Sequence, residues 1–199
     1  YTRRNCDNLV GYFKKMKKCL LVSKDNFWSN SLFQNLESSS FASWTFISEK
    51  SRVNNLEEDF DWIFFFHWSH IVPESVWKRR RCVVIHTSNL PDGRGGSPIQ
   101  NQIVEGTTDS RVNAIVMKGE VDSGDIYCSH PVTLSGSLFD IWMTISQSAR
   151  SLIEECILKN PAPKPQIVKD SQVKYNRIKG AMIDIENIST LSEIYDRIR

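Results

Sequence analysis

The residues best suited to chemistry sit in three loop-like stretches. The longest, CVVIHTSNLPDGRGGSPIQ at 82–100, is an apolar run ending in His86, followed by a loop rich in Gly, Pro, Asn and Asp. The others are HWSHIVP at 67–73 and KGEVDSGDIY at 118–127. A histidine titrates near neutrality, which suits moving a proton to or from an amine or alcohol. A neighbouring aspartate would stabilise the imidazolium and raise its pKa, making a better base. Asp122, with Gly124 close behind, is the best candidate for that carboxylate. On residue types alone, a core histidine and a structural aspartate remain the competing reading.

Other chemistries fit less well. Gly93, Gly95 and Gly96 invite a phosphate loop, but neither GxGxxG after the first strand nor GxxxxGK[ST] anywhere is present. The first apolar run is followed by SKDNFW instead, which argues against a nucleotide cofactor there. His67 and His70 lie three apart, yet they have no third ligand nearby and no HExxH, so no metal site is expected. A serine hydrolase would want a GxSxG elbow, and there is none.

The elements that must position these loops read as an alternation. CLLV (19–22), WTFI (44–47), WIFFF (62–66) and CVVI (82–85) are continuous apolar runs, the pattern of strands buried on both faces. Residues 27–37 and 73–80 read as helices, with Pro73 suited to a first turn and Glu74 to the positive end of the helix dipole. PIQNQIVE (98–105) reads as a helix stopped by Gly106, and VNAIVM (112–117) as a strand. IYCSHPVTL (126–134) is expected near a sheet edge because of Pro131. Residues 137–158 carry apolar side chains at helical spacing and form a long amphipathic helix. NPAPKPQ (160–166) breaks it and opens a tail that ends in a short helix over LSEIYDRIR. The alternation predicts an α/β, Rossmann-like, doubly wound fold with a mostly parallel sheet, its ligand site beyond the carboxyl ends of the strands.

Bulk properties agree with one such domain. The chain has 199 residues, 40% hydrophobic and 24% charged, which describes a globular protein rather than a disordered one. A net charge of +2 is too small to argue for nucleic acid, and the basic run Lys78–Arg81 reads as a solvated helix end. Five cysteines without a CxxC pair suggest reduced thiols, hence a cytoplasmic location; no membrane span or signal peptide is visible. MKKCLLVSKDNFWS at Met16 reads like a natural beginning, so residues 1–15 are expected to be an extension or tag-like segment.

Two long motifs together carry a resemblance. HTSNLPDGRGGSPIQNQIVEG resembles, without a gap, the HxSxLPxxRGxxPIQxxIxxG signature of the folate-dependent formyltransferases, and SRVNAIVMKGEVDSGDIY resembles that family's second motif in the same register. The resemblance is strong over about residues 60–134. It implies a catalytic domain over 16–160 that uses 10-formyltetrahydrofolate, without a metal, to formylate an amine, and a linker or tail over 161–199. By that resemblance His86 is the catalytic general base and Asp122 the aspartate that orients it. His70, Ile71 and Val72 match the segment that cradles the pterin. Lys118, Gly119, Glu120, Val121 and Asp122 match the opposite wall, and Gly96 a further folate contact. Pro91 and Gly93 are expected to shape the intervening loop, and Arg94 to tie it to the scaffold.

Val84 departs from the family pattern. The family places asparagine there, on the same strand face as the histidine, where its amide stabilises the developing oxyanion. Losing such a donor costs about 100- to 1,000-fold in rate. Either another group replaces it (a backbone N–H at 87–89, the Asn89 side chain, or a water), or the chain is a non-catalytic folate- or nucleotide-sugar-binding homologue. FFFHWSHIVP and GRGGSPIQN resemble a sub-group that formylates surface-polysaccharide sugars, which favours replacement.

Three acceptors compete within the resemblance. The small net charge and the end at Arg199 disfavour tRNA, and the missing glycine turn in LVSKDNFWS disfavours a glycinamide ribonucleotide. The expected acceptor is the amino group of a dTDP- or UDP-linked amino-deoxysugar, with methionyl-tRNA or another small amine as the alternative. A homodimer is a possible assembly. The tail from Gln172 resembles the segment that follows the catalytic domain in these enzymes and suggests truncation at Arg199.

Overall fold

The structure is a computed structural model, and it describes residues 16–168, 172–178 and 188–198. The expectation of an extension at 1–15 lies outside the described residues. Six strands form the main sheet: β1 (Lys17–Ser23), β2 (Ala42–Ile47), β3 (Trp62–Phe66), β4 (Cys82–Thr87), β6 (Asp109–Val116) and β7 (Ile126–Thr133), in the order β2-β1-β3-β4-β6-β7. A two-residue strand β5 (Arg94–Gly95) lies in the loop after β4 and pairs in parallel with β8 (Lys174–Tyr175) from the tail. The helices are α1 (Phe27–Glu37), α2 (Lys50–Asn54), α3 (Glu74–Trp77), α4 (Pro98–Val104), α5 (Leu138–Lys159) and α6 (Leu191–Ile198). Among the described residues no helix is long and apolar enough to cross a membrane.

The apolar runs explain the centre of the sheet. Every residue of β3 is buried, because its two faces meet different layers. Trp62, Phe64 and Phe66 face the cluster built on α1, α4 and α5, whereas Ile63 and Phe65 face the smaller cluster with Val53, Val72 and Val76. The long helix α5 starts from a capping box at Ser137 and Asp140 and buries Ile141, Ile145, Leu152, Ile153 and Cys156. The α/β, mostly parallel architecture is as expected, and Pro131 does lie in an edge strand.

The second half of the sheet departs from a simple alternation. β1, β2, β3 and β4 pair in parallel, but β6 runs antiparallel to β4, and β7 antiparallel to β6. Register places Val116 beside Val83 and Val112 beside Thr87, so β6 ends next to the start of β4. The loop after β6 therefore leaves from the end of the sheet opposite His86, not from the carboxyl end where the other two loops lie. The connection through α4 does not return the chain to the starting edge, and an apolar strand sequence carries no direction of its own. The helix expected at 73–80 is also shorter, spanning Glu74–Trp77 with Pro73 as its N-cap.

Arg80 and Arg81 are not simply solvated. Arg80 donates to the Leu56 carbonyl at 2.9 Å, and Arg81 lies over the Trp62 ring at 4.4 Å.

Candidate active site

His86 stands one residue before the end of β4 and is 6% exposed. Side-chain amides from outside the strand fix the backbone on either side of it. Asn113 Nδ2 donates to the Ser88 carbonyl at 2.7 Å and to that of His86 at 3.3 Å, while its Oδ1 accepts from Ser129 Oγ at 2.7 Å. Gln102 Nε2 donates to the Thr87 carbonyl at 2.9 Å, and its Oε1 accepts from Ser110 Oγ at 2.6 Å. Neither amide was picked out from the sequence. The signal was there for Asn113, an amide inside the apolar run VNAIVM, because a polar group buried at that place must find partners.

The ring itself is oriented by its two nitrogens. Nε2 lies 3.0 Å from Ser88 Oγ and 3.0 Å from the Gly93 carbonyl oxygen. The Ser88 hydroxyl donates to the Asp92 carbonyl at 2.8 Å, so it receives from the ring, and a carbonyl can only accept. Nε2 must therefore carry the hydrogen. Nδ1, the nitrogen left with a lone pair in the neutral ring, faces Asp122 Oδ2 at 3.4 Å. The same carboxylate oxygen accepts the backbone N–H of Gly95 at 3.0 Å. Asp122 is held in the left-handed region at φ +52°, uncommon for a residue with a side chain. The two residues singled out on chemistry are brought together.

Asp122 reaches this position by an indirect path. Met117 N–H bonds to the Cys82 carbonyl at 2.9 Å, at the foot of β4, and the loop turns back toward the His86 end before rejoining the sheet. The distance to recover is roughly 10 Å, about three strand residues, shared between backbone and side chains. Gly124 is required at the return: a Cβ there would stand 1.7 Å from the Val116 carbonyl oxygen.

The tail binds across the same loops. Arg94 is 7% exposed, and Gln166 Oε1 accepts from its Nε at 3.1 Å and its Nη2 at 2.7 Å. Gln166 Nε2 donates to the carbonyls of Asp122 at 2.8 Å and Gly124 at 2.7 Å. Farther on, Gly93 N–H donates to the Val173 carbonyl at 2.8 Å and Gly96 N–H to that of Tyr175 at 3.0 Å. Close approach demands glycine here too, since a Cβ on Gly95 would lie 2.3 Å from the Tyr175 carbonyl oxygen. The stretch expected to be a linker thus supplies a wall of the site.

All three loops and the tail enclose one cleft of about 750 Å³, within the range of small-molecule sites. His70, Ile71, Val72, Gly96, Lys118, Gly119, Val121 and Asp122 line it with His86 and Val84. Glu120 is not among the lining residues; its carboxylate meets Lys174 at 3.4 Å. The Asn89 side chain, weighed as a substitute for the missing asparagine, donates to the Asp109 carbonyl at 3.2 Å and does not line the cleft. His67 also lines it, at φ +49°, with Asn26 Nδ2 donating to its Nδ1 at 3.0 Å and its ring 4.6 Å from that of Trp142. Burial, with Lys24 nearby, pushes the His67 pKa down to about 4 and keeps the ring neutral.

An open α/β domain with a histidine–carboxylate pair on the wall of one deep cleft is the architecture of a small-group-handling enzyme. Comparison with known proteins gives the family. A methionyl-tRNA formyltransferase structure from Clostridium thermocellum superposes with a TM-score of 0.80 at 30% identity, covering 92% of this chain and 82% of that one. The methionyl-tRNA formyltransferase of Bacillus mycoides (strain KBAB4) is 30% identical over 162 residues, 76% of this chain and 50% of its own length. A 4-N formyltransferase structure from Francisella tularensis shares the fold at a TM-score of 0.65 and 23% identity, covering 92% of this chain and 87% of that one. No family model matches the chain. The chain belongs to the folate-dependent formyltransferase family. It spans about half the length of the curated relatives it matches.

Proposed function

We propose that the chain transfers a formyl group from 10-formyltetrahydrofolate to the amino group of a nucleotide-linked amino-deoxysugar. The observation that carries this is the His86–Asp122 arrangement: a ring whose Nε2–H is already engaged, with Nδ1 left at a carboxylate on the cleft wall. Bound in the cleft, the folate supplies an activated one-carbon unit. His70, Ile71 and Val72 would hold the pterin together with Lys118, Gly119, Val121, Asp122 and Gly96, all of which line the cleft. His86 Nδ1 takes the proton that the amine loses as its nitrogen bonds to the formyl carbon. Asp122 faces the resulting imidazolium and stabilises it by charge. The bond from the formyl carbon to the folate nitrogen then breaks, and His86 returns the proton it took from the amine to that nitrogen, which restores the neutral ring.

The cleft lining includes unpaired cations. Lys24 and Arg177 line the cleft from opposite elements, and among the described residues neither has a carboxylate partner. A diphosphate would supply the missing charges. The small net charge disfavours an extended nucleic-acid footprint, although close relatives are methionyl-tRNA formyltransferases. Incubation with 10-formyltetrahydrofolate and dTDP- or UDP-linked aminosugars should release tetrahydrofolate. Turnover with methionyl-tRNA and none with sugars would move the acceptor to tRNA; no turnover with any amine, together with no folate binding, refutes formyl transfer.

Val84 favours a second reading, a folate- or nucleotide-sugar-binding homologue that does not catalyse. Its apolar side chain lines the cleft at the position where the resemblance expects an amide. Val84→Asn decides between the two. A large gain in formyl transfer means that the native site lacks an oxyanion donor, and little change means that another group serves.

A further inference from the structure

Gln166 lies 44 residues from Asp122 and 72 from Arg94, in a stretch that belongs to no helix or main strand. Its amide has no spare hydrogen-bonding capacity. Oε1 accepts from Nε and Nη2 of the buried Arg94, and Nε2 gives one hydrogen each to the carbonyls of Asp122 and Gly124. A flipped amide would set its own hydrogens against the guanidinium, so the orientation is determined. Pro161, Pro163 and Pro165 restrict the approach. Lys164 exchanges two backbone bonds with Ile126, at 2.8 and 2.9 Å, and so fixes the chain two residues before the amide.

What this amide grips is the peptide of Asp122, the residue held at φ +52°. A left-handed backbone at a residue with a side chain costs about 1–3 kcal/mol and persists only where its surroundings enforce it. Gln166 supplies that enforcement from one side, and the Gly95 N–H on the carboxylate supplies it from the other. Gly95 follows Arg94 directly, so the two supports are joined through the guanidinium. We propose that Gln166 is a positioning residue, the group that sets the Asp122 carboxylate against His86 Nδ1. The proposal rests on the reading of His86 and Asp122 as the proton-transfer pair. It makes the proline-rich stretch after α5 part of the active-site architecture rather than a spacer.

A tie that merely fastens the tail would predict lost stability and nothing specific at His86. Gln166→Met removes all four bonds, whereas Gln166→Glu keeps the acceptor for Arg94 and removes the two donors, so it serves if the first variant fails to fold. Misplacement of a supporting group by about 1 Å can cost on the order of 100-fold. The variants should therefore lower kcat by about 10- to 100-fold while KM for the folate changes little. Asp122→Asn combined with either Gln166 variant should lose no more than Asp122→Asn alone, because both act through one carboxylate. The His86 ring 15N resonances at fixed pH should move in the Gln166 variants toward those of Asp122→Asn. Losses that multiply in the double variant, or His86 resonances unchanged from the parent chain, would overturn the proposal. The resonance comparison needs no turnover, so a parent chain inactive toward every amine would sink formyl transfer while Gln166 is still decided.

Discussion

The two halves of the sheet are built to different rules. From β1 to β4 the strands run parallel, each is followed by a helix, and the apolar runs of β1, β3 and β4 are buried on both faces. WTFI in the edge strand β2 is instead mostly half-buried, because an edge strand lacks the cover expected for it. From β6 onward the strands alternate in direction, and the chain returns over the site twice, once in the 117–125 loop and once in the tail. The first half delivers His86 by burial, with its strand locked on both sides. The second delivers Asp122 by hydrogen bonds to backbone groups, through glycines that admit close contact. Stability should reside mainly in the first, and the accuracy of the site in the second.

His86→Asn tests the first half at its one reactive tip. Removing the proposed general base should lower formyl transfer by about 100- to 10,000-fold, with folate affinity nearly unchanged and stability lowered by no more than about 1–3 kcal/mol for its lost hydrogen bonds; unchanged turnover would remove His86 from the chemistry. Phe64→Ala tests the scaffold beneath it. Phe64 is fully buried against Trp44 and Trp62, so denaturant titration should show a loss of about 3–5 kcal/mol. A much smaller loss would mean that the parallel half is not where stability lies.

Gly95→Ala strikes the second half. The added methyl meets the Tyr175 carbonyl and strains a φ of +112°, at a cost of about 1–3 kcal/mol. Hydrogen exchange at the Gly96 amide should speed up and acceptor KM should rise, while the core strands keep their protection. Loss of protection throughout the sheet would show instead that the two regions unfold together.

The smallest effect is on pH. His67 ionises at about 4 in the folded chain against 6.5 unperturbed, mainly through burial and then through Lys24. Between those values the unfolded chain binds the proton first. Its contribution to stability is thus complete above pH 6.5 and is lost as pH falls toward 4. His67→Gln should flatten that part of the stability profile measured by denaturant titration; an unaltered slope would assign the acid sensitivity elsewhere.

The same division separates what could be read from the sequence from what could not. WIFFF and CVVIHT announce themselves because two-sided burial leaves continuous apolar runs, and helix 27–37 has the observed limits. His86 was conspicuous because a titratable ring ends such a run, and Asp122 because a glycine follows it closely. The direction of β6 was not legible, since VNAIVM would look the same running either way. Nor was Gln166, whose partners lie 44 and 72 residues away and leave no local pattern. Glu120, a motif position carried over as a folate contact, turns its carboxylate to Lys174, an ion pair that the motif did not announce.

The return of the 117–125 loop also constrains how this protein can change over generations. Surface loops ordinarily accept insertions and deletions. Here one residue more or less would break the turn that holds Asp122 at φ +52° and carry its carboxylate away from His86 Nδ1, which it meets at 3.4 Å. The loop acts as a ruler between the foot of one strand and the tip of the same strand. Its composition can drift while its length cannot, and variants that alter the count should lose the site without losing the fold.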